Sequence, residues 1–246
     1  MVQSKILPIN CDCGEGLPGV SDDALIRHVD ACNIAIGGHA GDEKSIINCL
    51  EACQKWGVLV GAHPSYPDIV HFGRRSISIS SEDFKVALCR QFDLVISILD
   101  KNRISLHHIK AHGALYHDLS SNEYLSKTYL EVVETYWGKI LILAMSDSPF
   151  AQFAAQNHFP VWQEGFPDRA YQQKDRLLAR SEEGAIISDP LEIIQQIVNM
   201  NKGQIRLQSQ VLVDATIDTC CLHGDHPHTL TILESIAKHF KYTRHE

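Results

Sequence analysis

The chain has 246 residues, 44% of them hydrophobic and 21% charged, with a formal net charge of −8 at pH 7. That length allows one sizeable core, and the acidic balance argues against nucleic acid or an anionic membrane surface as the main partner. The opening Met-Val-Gln-Ser-Lys-Ile lacks the apolar stretch of a signal peptide, and no apolar run approaches the ~20 residues of a membrane span, so a cytoplasmic protein with no membrane partner is expected. Eight cysteines occur without any Cys-x-x-Cys spacing and read as reduced thiols serving as small core residues, not as a structural zinc site.

Taken in order, Ile6–Cys11 is a buried first strand whose exit, Asn10-Cys-Asp-Cys-Gly-Glu-Gly16, places Asp12 and Glu15 at its carboxyl end. Gly14-Glu-Gly-Leu-Pro-Gly19 matches the G-x-G-x-x-G pattern. It is rejected as a dinucleotide fingerprint because Pro18 and Ser21 start the helix later, around Ser21-Asp22-Asp23. A short helix over 22–30, a strand over 33–37, an acid-opened helix over 42–55 and a strand over 59–62 follow. Cys49 and Cys53 share a face of the second helix, as packing residues do.

A long loop rich in Pro, Gly and charge then carries Arg74-Arg75, either a solvated pair or a clamp for carboxylate or phosphate. Ser80-Ser81-Glu82-Asp83 caps a helix running to about Lys101, with apolar residues at 84, 88, 92, 95, 96 and 99.

Residues 107–117, His-His-Ile-Lys-Ala-His-Gly-Ala-Leu-Tyr-His, are the centre of the sequence. If residues 109–111 form a short strand, its period of two turns Lys110 and His112 to one face. Burying both is costly without a purpose. The pattern recurs: short apolar runs lead into His39-Ala40, His63-Pro64, His112-Gly113 and His223-Gly224, which argues for a shared site.

Beyond it lie a helix near 122–136, a strand over 140–145, a helix begun by Ser146-Asp147-Ser148-Pro149 and a strand over 161–163. Glu164-Gly-Phe-Pro-Asp-Arg-Ala-Tyr171 forms a second polar loop, and residues 185–187 are a short strand or extended segment. Asp189-Pro190 caps a helix to about Lys202, with proline at the permitted first position. A last strand over 219–222 and a closing helix over 229–240 complete the chain. No linker composition divides it, so one domain over 1–246 is expected.

Alternating strands and helices imply parallel strands with right-handed crossovers. About seven such units point to a closed or nearly closed α/β barrel, with an open doubly wound sheet as runner-up. Barrel sites lie at the carboxyl ends of the strands. Asp12, Glu15, His39, His63, Lys110, His112, Asp147, Glu164, His223 and Asp225 all fall there. Asp with His suits a divalent metal that lowers the pKa of water; it equally suits metal-free acid–base catalysis. No G-x-S-x-G elbow and no G-x-x-x-x-G-K-[ST] phosphate loop is present.

Seven blocks in order resemble the LamB/YcsF family: Asn10-Cys-Asp-Cys-Gly-Glu-Gly16, residues 33–42 ending His39-Ala-Gly-Asp42, Gly61-Ala-His-Pro-Ser-Tyr-Pro-Asp68, Phe72-Gly-Arg-Arg75, Lys110-Ala-His-Gly-Ala-Leu-Tyr116, Glu164-Gly-Phe-Pro-Asp-Arg-Ala-Tyr171 and His223-Gly-Asp-His-Pro227. The chain departs from the family pattern at Ile36-Gly37-Gly38, Ala111 and Pro167, changes that spare the charged residues. Characterised members are similar to the A-type subunit of the prokaryotic ATP-dependent 5-oxoprolinase.

The resemblance implies a distorted seven-stranded β/α barrel, related to the glycoside hydrolase/deacetylase barrels. It implies opening of the 5-oxoproline lactam to glutamate, with ATP as co-substrate and two partner subunits, of B and C type, in the complex. Asp12, Glu15, Lys110, His112 and Asp225 are then expected in catalysis, with Asp12 as base or metal ligand and Lys110 on the oxyanion. Arg74, Arg75, Glu164, Arg169 and His223 are expected on the substrate, and Asp12, His39 and His63 as candidate ligands of a divalent metal. A stand-alone metal-dependent amidohydrolase or deacetylase, and a non-catalytic protein binding a small anion, are the competing readings.

Overall fold

The structure is a computed structural model and describes residues 6–19, 21–226 and 228–240. Residues 1–5, read above for a signal peptide, and Pro227, at the end of the seventh block, lie outside that range.

Seven parallel strands close into a barrel: β1 (Ile9–Cys13), β2 (Ala31–Ala35), β3 (Leu59–His63), β4 (His108–Lys110), β5 (Leu141–Met145), β6 (Val161–Gly165) and β11 (Thr219–Leu222), with β11 returning to pair with both β1 and β6. The closed barrel is thus the outcome, and the open sheet is not. The barrel is uneven: β6–β11 and β3–β4 share only two residue pairs each, against four or five at β1–β2 and β2–β3. Between β6 and β11 the chain makes two small hairpins, β7 (Tyr171–Gln173) with β8 (Arg176–Leu177) and β9 (Gln204–Arg206) with β10 (Leu212–Asp214). Neither hairpin is expected from the sequence pattern, because its strands are two or three residues long and carry no alternation.

The helices are α1 (Asp22–Ile26), α2 (Glu43–Trp56), α3 (Ser81–Asn102), α4 (Gly113–Ser121), α5 (Glu123–Trp137), α6 (Pro149–Gln156), α7 (Pro190–Met200) and α8 (Thr229–Phe240). Their starts follow local chemistry. Asp42 and Ser45 form a reciprocal capping box on α2, and Ser80, Ser148 and Asp189 accept from the first turns of α3, α6 and α7. Helix α1 ends four residues earlier than expected, and α4 is unforeseen because His112 caps it without any side-chain hydrogen bond. None of the helices among the described residues is long and apolar enough to cross a membrane.

Period two along the strands sorts side chains between two environments. Ile9, Cys11 and Cys13 of β1 join the main hydrophobic cluster, whereas Asn10 and Asp12 turn into the barrel. The same alternation brings inward Asn33 on β2, His63 on β3, His108 and Lys110 on β4, Glu164 on β6, and Thr219 and Cys221 on β11. Gly61 belongs to this interior for a steric reason: a Cβ there would collide with the His108 imidazole. The eight cysteines are all free and seven are buried, as small core residues should be.

Candidate functional site

A barrel lined by polar groups must satisfy them internally, and here a continuous chain of bonds links the base of the barrel. At the base, Thr219 Oγ1 donates to Pro8 O (2.9 Å) and accepts from Asn10 Nδ2 (3.0 Å). Asn33 Nδ2 donates to Asn10 Oδ1 and to Asp12 Oδ1, both at 2.8 Å. Asn33 Oδ1 therefore accepts from His108 Nε2 (2.8 Å), which leaves His108 Nδ1 to accept from His107 Nδ1 (3.1 Å). Burial, then the neighbouring His107 and Lys110, keep His108 well below the usual imidazole range, in the neutral form this pattern requires.

One layer up, Lys110 Nζ reaches Asp12 Oδ1 (3.1 Å), Glu164 Oε1 (3.3 Å) and Cys221 Sγ (2.8 Å), and Tyr116 donates to Glu164 Oε2 (2.9 Å). Burial alone would discharge the lysine, but Asp12, Cys221 and Glu164 overrule it and hold it well above its ordinary pKa. Burial likewise opposes ionisation of Asp12, yet His63 and Lys110 hold its carboxyl well below the usual range. The pair is an ammonium and a carboxylate.

The top layer collects the histidines. His39 lies flat on His112, centroids 3.6 Å apart, and His63 meets both rings edge-on. His63 Nδ1 donates to Lys110 O (2.7 Å) and His112 Nε2 to Phe72 O (3.0 Å). His63 Nε2 and His112 Nδ1 then face each other at 3.0 Å, an approach that takes a proton or a cation between them. Asp12 Oδ1 stands 3.4 Å from the first and Glu15 Oε1 3.6 Å from the second.

These four electron-pair donors lie within 4.8 Å of one another, and they require a proton or a cation among them. Burial, then His39 and His63, depress His112 and disfavour the proton. Glu15, raised to about 9 by burial and the charges of Asp12 and Asp225, is the member of the set that carries a proton at neutral pH, the proton a bound cation would replace. The donor set fits a divalent ion, and imidazole with carboxylate suits zinc and its neighbours. His39 stands one step back, its Nε2 on Glu15 Oε1 (3.2 Å), so Glu15 and His112 hold the positions nearest the centre. Burial, then His63, depress His39 to about 2, and it is neutral.

Above this floor is a cavity of about 450 Å³. Asp12, Glu15, His63, Lys110, His112, Arg74, Arg169, His223 and Asp225 line it, as expected, together with Phe166 and Arg180. His223 Nδ1 is 2.8 Å from Asp168 Oδ2, the same oxygen that accepts the His223 backbone N–H, and Phe166 stacks on the ring. That fixes the imidazole with Nδ1 as donor and Nε2 as the free nitrogen. Burial would protonate Asp168, but His223 overrides it and keeps the carboxyl low.

Other placements differ from expectation. Arg75 is exposed and absent from the cavity wall. Glu164 is fully buried beneath Lys110, where it touches the ammonium and not the cavity. Arg169 spends Nε on Ala185 O (3.1 Å) and Nη2 on Leu178 O (2.7 Å), fastening the stretch after β8. Gly14, in the rejected fingerprint, gives its N–H to the Asp22 carboxylate (2.9 Å), which takes the place a phosphate would need.

The sequence pattern of the LamB/YcsF family matches residues 7–246. The chain belongs to this family. It is 32% identical to the A subunit of the Pyrococcus furiosus 5-oxoprolinase over 94% of this chain and 92% of that one. It is 31% identical to the A subunit of the Vibrio vulnificus 5-oxoprolinase, over 94% and 95% respectively. Among solved structures, the lactam utilization protein of Thermus thermophilus superposes with a TM-score of 0.88 at 26% identity, covering 96% of each chain.

Asn33, His108, Cys221 and Arg180 are not singled out as site residues by the sequence, and Asp168 is visible there only as one member of a polar loop. Asn33 and His108 do leave a signal, polar residues inside short apolar runs where an unpaired amide or imidazole is costly. Arg180 leaves none.

Proposed function

We propose that this chain is the ring-opening component of an ATP-dependent 5-oxoprolinase, working with B- and C-type partner subunits to convert 5-oxo-L-proline to L-glutamate. The observation that carries the reading is the buried Asp12–Lys110 ion pair beside a free His223 Nε2, on the wall of one cavity, in a chain whose near full-length relatives are named as A subunits of 5-oxoprolinase.

Lactam hydrolysis adds water to the carbonyl carbon and breaks the C–N bond, so it needs a proton acceptor, a stabilised oxyanion and a proton for the departing nitrogen. Asp12, already ionised, takes the proton from water. Lys110, held charged by three neighbours, faces the developing oxyanion. His223, aligned by Asp168 and acting in its imidazolium form with both nitrogens protonated, delivers the Nε2 proton to the ring nitrogen. The proton that Asp12 took from water passes to the glutamate carboxyl or to solvent. Asp12, Glu15, His63 and His112 are the residues that would hold a divalent ion, which supplies Lewis acidity at this point. ATP-dependent activation of the lactam carbonyl falls to the partners, since the sequence carries no phosphate loop.

The test is glutamate release from 5-oxoproline by this chain, alone and mixed with candidate partners, with and without ATP. Release only with partners and ATP is expected. Release by the chain alone without ATP would favour the stand-alone metal amidohydrolase, the reading to which the four converging donors also lend support.

A further inference from the structure

Three loops meet at one oxygen on the outer wall of the cavity. Asp225, in the loop after β11, receives Arg180 Nη1 at 3.1 Å and a direct contact from Arg74 Nη2 on the same Oδ2. Arg74 comes from the loop after β3 and Arg180 from the segment after β8; all three residues line the cavity. Arg169 lines the cavity as well, but its Nε and Nη2 are spent on Ala185 O and Leu178 O, so Arg74 and Arg180 are the guanidinium groups on this carboxylate. The field is felt nearby: burial, then the charge of Arg169, with smaller contributions from His223 and Arg180, push the His117 imidazole on the same wall down to about 4.

Arg180 is held in place. Arg169 ties down Leu178 O and Ala185 O on either side of it, and Ala170, Leu178 and Ala185 form a small apolar cluster separate from the main core. The segment that presents Arg180 is therefore anchored on its own footing.

We propose that Arg180 and Arg74 form a two-guanidinium clamp for the carboxylate of the lactam acid, and that Asp225 occupies the clamp until that carboxylate displaces it. The assignment rests on the ring-opening reading and names what selects the substrate within it. Asp225 shows by its own position that a carboxylate oxygen fits between the two guanidinium groups, whose forked donors match that geometry. The arginine ends of the hold are open to the cavity, with the side chains of Arg74 and Arg180 40% and 33% exposed against 16% for Asp225, so an incoming carboxylate reaches the guanidinium groups from the solvent side. Exchange of one carboxylate for another keeps both arginines paired. A lactam without a carboxylate has nothing to offer the clamp.

The experiment compares L-5-oxoproline with 2-pyrrolidinone, the same ring without the carboxylate. Binding of each to the whole chain is measured by calorimetry for wild type, R180A and R180K, and glutamate release is followed in the reconstituted assembly. Wild type should prefer the acid, and R180A should lose about 10- to 100-fold in affinity for it, the range for a hydrogen bond to a charged group. R180A should leave 2-pyrrolidinone unchanged, and R180K should recover part of the loss. In turnover the loss should appear in KM with kcat little altered.

The clamp is overturned if wild type shows no preference, if R180A retains it, or if R180A weakens both ligands alike, as a merely structural residue would. Turnover by wild type with R180A unaffected rejects the clamp and leaves the ring-opening reading standing. Preferential binding lost in R180A, without turnover in any mixture, keeps the carboxylate site and rejects the reaction.

Discussion

At the scale of single residues, the site depends on charges that burial opposes and neighbours enforce. Asp12→Asn should lower glutamate release by the assembly by about 10²- to 10⁴-fold, the worth of a general base, while the circular dichroism spectrum of the chain is retained. Undiminished release would remove Asp12 from the chemistry. Asn33 has no titratable group, yet it holds Asp12, Asn10 and His108 simultaneously. Asn33→Ala would strand three buried polar groups, and a loss of roughly 3 kcal/mol or more in urea unfolding is expected. A loss under about 1 kcal/mol would mean that water replaces the amide without cost. For the four converging donors the prediction concerns stoichiometry. After dialysis against zinc, wild type should retain about one ion per chain and His63→Ala should retain almost none, read by elemental analysis. Equal retention by both proteins would place the metal elsewhere.

At the scale of elements, the strands act as rulers and the loops as carriers. Inward positions two apart on β1 and on β4 stack the Asn10–Asn33–His108 layer beneath the Asp12–Lys110 layer, because a strand alternates its faces. Between elements, Asp168 in the loop after β6 fastens His223 in the loop after β11, bridging a seam of only two residue pairs. Burial raises the Asp168 carboxyl, but His223 more than compensates and the net shift is downward. The sign follows: a depressed folded-state pKa stabilises the protein above the unfolded value of ~3.9 and the benefit disappears as pH falls through the folded value. Asp168→Asn should therefore melt below wild type at neutral pH, with the gap closing in acid below about pH 4. A gap that is constant with pH would show that the charge of Asp168 contributes nothing.

At the scale of the whole molecule, a closed barrel gathers one wall of the cavity from residues as far apart as Asp12 and Asp225. Closure is what makes the histidine template meaningful. His39, His63 and His112 converge because β2, β3 and β4 are neighbours, while His223 arrives from the other side, just after β11, to face them across the cavity. On the proposed reading this barrel opens the ring, and the ATP-dependent step is assigned to the partner chains. Activity is accordingly expected as a property of the mixture, with the isolated chain silent.

The sequence by itself determined the strand–helix alternation, most helix starts and the identity of the residues at the strand ends, because capping, periodicity and turn chemistry are local. It also determined the family, through seven ordered blocks of charged and small residues. Only the tertiary structure decided which of those residues meet. Glu164 sank beneath Lys110, Arg75 remained in solvent, and Glu15 with His112 moved ahead of His39 at the centre of the donor cluster. Partners distant in the chain settled the buried positions, Lys110 for Glu164 and both His112 and His39 for Glu15. No local pattern encodes such partners, since each is chosen by which strands the closed barrel sets side by side.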